Sequence, residues 1–179
     1  MTPPTTTTAL PTVGRYRIDP SRTTIRFHTR HLFGLGSVSG TVRLRQADLT
    51  VAAPPASTTV RASLSAASFD TGLSKRDAAV RSAKFLDVTA YPDITFDSQQ
   101  IHQHQGAWVA DGTLTAHGIA APVTLTLDEL HHDSGGQLHL RASARIDRYA
   151  HQVTAGKGLA ARRLTAEIDA TATPANTND

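Results

Sequence analysis

The sequence predicts an all-β domain built as an antiparallel barrel, and three observations carry that prediction. Apolar and polar residues alternate with period two from Tyr16 onward, the mark of half-buried strands. Short segments of turn chemistry separate the alternating runs. Only one stretch reads as helix, too little to cover the second face of an open sheet. Strands at this spacing suit a barrel or a sandwich; several runs reach nine residues or more, and a single closed sheet accommodates them more simply. At 179 residues the chain is of single-domain size, with a substantial core.

In chain order, the lead-in MTPPTTTTALPTV is Pro/Thr-rich and reads as a disordered tail over residues 1–13. TTIRFHTRH sets Ile25 and Phe27 on one face and Arg26 and His28 on the other. A turn at FGLG leads to SVSGTVRLR, with Val38, Val42 and Leu44 together. After the Pro-containing loop VAAPPAS, TTVRASLSA aligns Val60, Ala62 and Leu64. DITFDSQQI, AWVADGTLTAH, PVTLTLDEL, QLHLRASARID and RLTAEIDAT repeat the pattern, punctuated by HQG, HGIAA and HHDSGG. The count is eight or nine strands with no internal repeat, and a second frayed tail at residues 174–179.

The inward face is made of small residues: Gly40, Ala62, Ala66, Ala110, Gly112, Ala116, Ala142, Ala144, Ala166 and Ala170, in a chain only 5% aromatic. Such residues fill a barrel poorly, and a dry void costs its lining atoms their dispersion contacts. The barrel therefore either holds an apolar guest or flattens onto its own side chains.

One segment, SFDTGLSKRDAAVRSAKFLDVTAYPDITF, breaks the alternation. Ser74 followed by Asp77 resembles a capping box, Asp77 and Arg81 stand at i and i+4, and good helix formers follow, so a short crossover helix is expected within Ser74–Phe85. Tyr91-Pro92 then returns the chain to extended structure. Lys75, Arg76, Arg81 and Lys84 place positive charge at a barrel rim. That charge either receives the head of an amphiphile or pairs with Asp70, Asp77 and Asp87 to fix the connection.

Composition excludes several classes. Eighteen Lys and Arg against 15 Asp and Glu give +3, scattered rather than in runs, so nucleic acid is not indicated. There is no cysteine, hence no disulfide and no thiolate chemistry. The start lacks the charged and apolar regions of a signal peptide, from which a cytoplasmic location is expected, with at most peripheral membrane contact. Of nine histidines, His102 and His104 share a strand face while His28 and His31 do not; no third ligand can be assigned, so no metal is expected. G-x-S-x-G is absent, and TAGKGLAAR lacks the full phosphate-loop spacing.

The interrupting segment resembles the signature of the YceI-like, polyisoprenoid-binding family: D-T-G, then R-D, then R-S-x-x-F, then Y-P-x-I-T-F. GRYRIDPSRTTIRFHTRHLFGLGSVSG, with His31, is similar to that family's opening strands, and DGTLTAHGIAAPVTLTL to a later hairpin. Coverage runs from Gly14 to Thr173. The resemblance implies an extended, eight-stranded, lipocalin-like antiparallel barrel with one crossover helix near residues 74–85, binding an isoprenoid-type amphiphile noncovalently, and it allows for a homodimer. One departure stands out: where many relatives carry an aromatic-glycine pair after an arginine, this chain keeps Arg148 but has His151-Gln152.

The expected function is carriage or sequestration of a polyprenyl phosphate or isoprenoid quinone, without catalysis and without a cofactor other than that lipid. Expected tail contacts are Phe27, Leu64, Phe85, Phe96, Trp108, Leu114, Leu125 and Ile146; expected head contacts are His31, Arg76, Arg81 and Arg148. The alternatives are an enzyme using the bore as a reaction chamber for a polyene, and an interaction module with a filled barrel.

Overall fold

The computed structural model describes residues 9–31 and 36–175, with His31 described by its backbone alone. Nine strands follow one another: β1 (Gly14–Ile18), β2 (Thr24–His31), β3 (Gly36–Val51), β4 (Thr59–Asp70), β5 (Asp93–His104), β6 (Ala107–Ala116), β7 (Ile119–His132), β8 (Leu138–Asp147) and β9 (Ala160–Pro174), with helix α1 (Ser74–Arg81) between β4 and β5. The predicted FGLG turn falls almost wholly outside the described residues.

Every strand pairing is antiparallel, and the sheet closes on itself. β1 and β2 both pair with β3 and with β9, so they are two lengths of a single barrel strand and the barrel is eight-stranded. What parts them is a short 3-10 turn at Pro20–Arg22, where the Asp19 carboxylate accepts from the Ser21 N–H at 2.8 Å and Pro20 withholds a ladder donor. Among the described residues, closure leaves no bare sheet edge to pair with another chain.

The long strands carry bulges. Register shifts occur between Leu44 and Gln46 on β3, Ser98 and Gln100 on β5, and Leu127 and Glu129 on β7. Each extra residue reverses the inward parity downstream, so that Ala47, Ile101 and Leu130 face the interior although simple alternation from the strand start excludes them.

The core forms two clusters. Tyr16, Ile18, Leu44, Ala47, Leu138 and Ala170 belong to one, and Phe96, Ile101, Ala110, Leu114 and Val123 to the other. Ala62 packs against both.

Helix α1 ends at Arg81, four residues short of the predicted limit, and the capping box does not form. Leu73, not Ser74, holds the N-cap position and offers no side-chain bond. The Asp77 carboxylate turns back instead to accept from the Thr71 N–H at 2.8 Å and the Thr71 hydroxyl at 2.6 Å. The Thr71 hydroxyl, held on that side, accepts from Arg76 Nε at 2.7 Å. These bonds draw the carboxyl of Asp77 below its ordinary value, the Thr71 hydroxyl contributing most and the charge of Arg81 adding to it against the cost of desolvation.

The N-terminal lead-in is described from Ala9 onward. Pro11 is buried and Leu10 half-buried. The cause lies in β1: the buried Tyr16 hydroxyl donates to the Thr12 carbonyl at 2.9 Å and meets the Thr12 hydroxyl at 2.7 Å, pinning the segment to the barrel.

Candidate functional site

Between the two core clusters lies an apolar cavity of about 200 Å³. Its wall takes Ile18, Ile25, Leu44 and Ala170 from one cluster and Phe96, Ile101, Leu114 and Val123 from the other. Among the described residues, Thr23, Thr58 and the indole of Trp108 are the only wall residues with side-chain polar atoms. For scale, a cavity of roughly 150 Å³ lined by apolar side chains holds benzene and stays dry. Wall residues on β6 run from Trp108 to Leu114, about 20 Å along the strand and on the order of 15 Å along the axis of a barrel whose strands tilt by about 40°. A volume of 200 Å³ over that depth makes a bore one hydrocarbon chain wide.

The two barrel ends differ. At one end, β1 begins, β5 and β7 finish, and Leu10, Pro11, Thr58 and Trp108 belong to the cavity wall. At the other, the helix end, β2, β4, β6 and β8 finish. There Phe27 and Phe69 stack with ring centroids 4.1 Å apart. Gly40 makes room for them: a Cβ at that position would overlap the Phe27 ring and the Asp70 carbonyl oxygen. Gly112 likewise receives the ring of Phe96. The two inward glycines are therefore not empty space, since each is filled by a phenylalanine from a neighbouring strand.

Of the predicted tail contacts, Leu64, Phe96, Trp108, Leu114, Leu125 and Ile146 line the cavity. Phe27 and Phe85 do not; Phe27 is 4% exposed within the stack, and Phe85 packs beneath Gly156. Of the predicted head contacts, Arg76, Arg81 and Arg148 map to the helix end and are not part of the cavity wall. Arg76 is tied to Thr71 by Nε and by Nη2, and Arg81 Nη2 donates to the Phe69 carbonyl at 2.7 Å. Arg148 is buried and donates to four carbonyls, those of Ala161, Val153, Ala155 and Ala160, at 2.7–3.0 Å. Burial lowers its guanidinium from the ordinary value, with Tyr149 and Asp147 opposing. The His31 side chain lies outside the described residues.

The loop that departs from the expected aromatic-glycine pair keeps its course by other means. His151 is 2% exposed and its Nδ1 donates to the Ile119 carbonyl at 2.9 Å, which fixes the Nδ1-protonated tautomer. Gln152 takes the left-handed conformation, φ 58°, that a glycine adopts at no steric cost. Among the described residues no three His, Asp or Glu side chains converge as a metal site; His102 faces Asp111 at 3.6 Å and His104 is exposed.

Sequence reasoning missed the bulge-shifted wall residues and the Leu10–Pro11 cover. A run of Thr and Pro carries no periodic signal, and its anchoring by Tyr16 is a tertiary event.

The YceI-like domain profile matches residues 16–172. Protein YceI of Shigella flexneri is 38% identical over 71 residues, 40% of this chain and 37% of that protein. Protein YceI of Salmonella arizonae is 30% identical over 122 residues, 66% of this chain and 63% of that protein. The chain thus aligns with less than two thirds of the length of these relatives. Among solved structures, Burkholderia cenocepacia BcnA superposes with a TM-score of 0.76 at 20% identity, over 87% of this chain and 99% of that one. A polyisoprenoid binding domain from Saccharophagus degradans gives 0.65 at 12% identity, over 89% and 98%. At such identities the structural likeness speaks for the barrel alone. Joined to the profile match over nearly the whole barrel, it makes this chain a member of the YceI-like family.

Proposed function

We propose that the chain binds an isoprenoid-type lipid in its bore, noncovalently and without chemistry, as a carrier or sequestering protein. The observation that carries this reading is the cavity wall: among the described residues it has no carboxylate, imidazole, amine or guanidinium, and it is deep and one chain wide. Such a wall offers burial and nothing else. Burial is worth about 0.8 kcal/mol per CH2 before the costs of ordering and association are subtracted. A methyl-branched chain gives more contact per unit length than a straight one, which suits a wall of mixed Leu, Ile, Val and Ala. Membership of the YceI-like family, whose fold a polyisoprenoid binding domain shares, supports the same ligand class.

The test is native mass spectrometry on protein purified from cells, together with displacement of a fluorescent fatty probe. A retained lipid-sized mass, exchangeable against polyprenyl phosphates or isoprenoid quinones, is the expected result. Protein that carries no such mass and takes up neither class overturns the proposal. A new product formed from an added polyene would assign turnover instead.

A further inference from the structure

We propose that the outer surface of the helix end is a docking face for an anionic lipid bilayer. This concerns the rim of the barrel and stands whatever the bore holds. Strand direction gathers three described connections at that end: the crossover from β4 through α1 to β5, the β6–β7 turn and the loop from β8 to β9. The chain has three lysines, Lys75, Lys84 and Lys157, and all three stand on these connections, exposed. Among the described residues none of them is paired with a carboxylate. The acids nearby are mostly engaged: Asp77 is buried against Thr71, Asp93 meets Arg45 at 2.9 Å, and Asp147 accepts from Arg162 Nε at 2.8 and 2.9 Å. Asp70 accepts from the Gly72 N–H at 2.7 Å and Asp87 is half-buried. The lysines therefore leave the rim with positive charge that the fold does not use.

Exposed apolar side chains keep the same company. Leu73 is 56% exposed, Leu159 62% and Tyr91 40%, all at the helix end; of the large exposed apolar residues described, only Val13 lies at the other. Leu73 and Leu159 are held by backbone bonds. Leu73 holds the N-cap of α1, where Ser, Thr, Asp or Asn would stabilise the helix, and its carbonyl accepts from the Asp77 N–H at 2.9 Å. Leu159 closes a turn, its N–H donating to the Gly156 carbonyl at 3.0 Å, with Gly156 and Gly158 in left-handed backbone beside Lys157. Tyr91 lies over Gly118 and edge-on to His117, on the β6–β7 turn. Fixed leucines and a tyrosine among flexible lysines suit a bilayer, where the apolar groups enter the headgroup boundary and the ammonium groups reach lipid phosphates. A protein partner is the poorer fit, since lysine is depleted in protein interfaces.

The experiment is vesicle co-sedimentation of the full chain, with phosphatidylcholine alone and with about one third phosphatidylglycerol. Binding to the anionic vesicles is expected to be at least tenfold tighter and to weaken at high salt. Replacing all three lysines by Gln should weaken it roughly a hundredfold, about fivefold for each. Leu73→Ser with Leu159→Ser should weaken it several-fold without lowering the thermal midpoint, since serine caps α1. Because the chain has no cysteine, a polarity-sensitive dye can be placed by Leu159→Cys or, at the far end, by Val13→Cys. The dye should shift to the blue on anionic vesicles at residue 159 and not at residue 13. No preference for anionic vesicles, an unchanged affinity in the lysine variant, or equal shifts at both sites overturns the docking face. Equal affinity for soluble polyglutamate, with no shift at residue 159, also overturns it and assigns an acidic macromolecule instead. None of these outcomes bears on lipid uptake by the bore, which native mass spectrometry reads separately.

Discussion

Replacing Ala142 with phenylalanine asks whether the bore is space or packed core. Ala142 is 4% exposed, lies across from Leu127 and Ile168, and belongs to the cavity wall. A phenyl ring needs the room that benzene needs, so A142F would consume roughly 150 of the 200 Å³. Filling that volume recovers up to about 3.6 kcal/mol at roughly 24 cal/mol per Å³. Strain from an added ring takes back about 1–3 kcal/mol. The net is a gain of up to about 0.6–2.6 kcal/mol, which raises the thermal midpoint by a few degrees in a domain of this size. Lipid binding, in contrast, should be lost, because a chain and the ring cannot share a bore one chain wide. Chemical denaturation gives the first quantity and displacement of a fluorescent fatty probe the second. A variant that is destabilised like an overpacked core and still takes up lipid would refute the reasoning.

Three further outcomes are expected. Gly40→Ala drives a Cβ into the Phe27 ring and the Asp70 carbonyl and should cost about 1–3 kcal/mol by denaturation; Phe27→Leu in the same chain relieves the ring but not the carbonyl, so rescue should be partial. Arg148→Lys replaces a planar fork by a single ammonium that cannot span four carbonyls, at a cost of about 2 kcal/mol, and hydrogen exchange should rise across residues 153–161. Asp77 has a folded-state pKa below the 3.8 of an ordinary aspartate, so the unfolded chain takes up its proton first; its stabilising contribution is present above 3.8 and is lost as pH falls through the lower folded value. Denaturation midpoints at pH 5 and pH 3 should therefore differ less in Asp77→Asn than in the parent chain.

Much of the barrel was legible because a half-buried strand must alternate, and Ile25, Phe27, Val42, Leu64, Phe96 and Leu114 do so without interruption. Strand parity puts Leu64, Phe96, Trp108, Leu114, Leu125 and Ile146 on the apolar face, and these side chains line the cavity. Parity failed past each bulge, since no local signal at Arg45, Gln99 or Asp128 announces an extra residue. The arginines were harder for another reason. Sequence shows a charge but not where its donors go, and the carbonyls that engage Arg148 come from the loop at Val153 and Ala155 and from the first two residues of β9. The two glycines were seen as openings because a missing side chain looks the same whether the gap is vacant or filled from across the sheet.

That last point has a consequence for how the closed sheet finds its alignment. Phe27 lies directly opposite Gly40, and Phe96 lies over Gly112, diagonal to its own partner Leu114. Slide β2 by two positions and the Phe27 ring meets Val38 or Val42; slide β5 likewise and Phe96 meets Ala110 or Leu114, with no notch to accept it. Face alternation forbids odd slips, and these notches forbid the even ones, so two ring-and-notch pairs act as keys that let the cylinder shut in a single alignment.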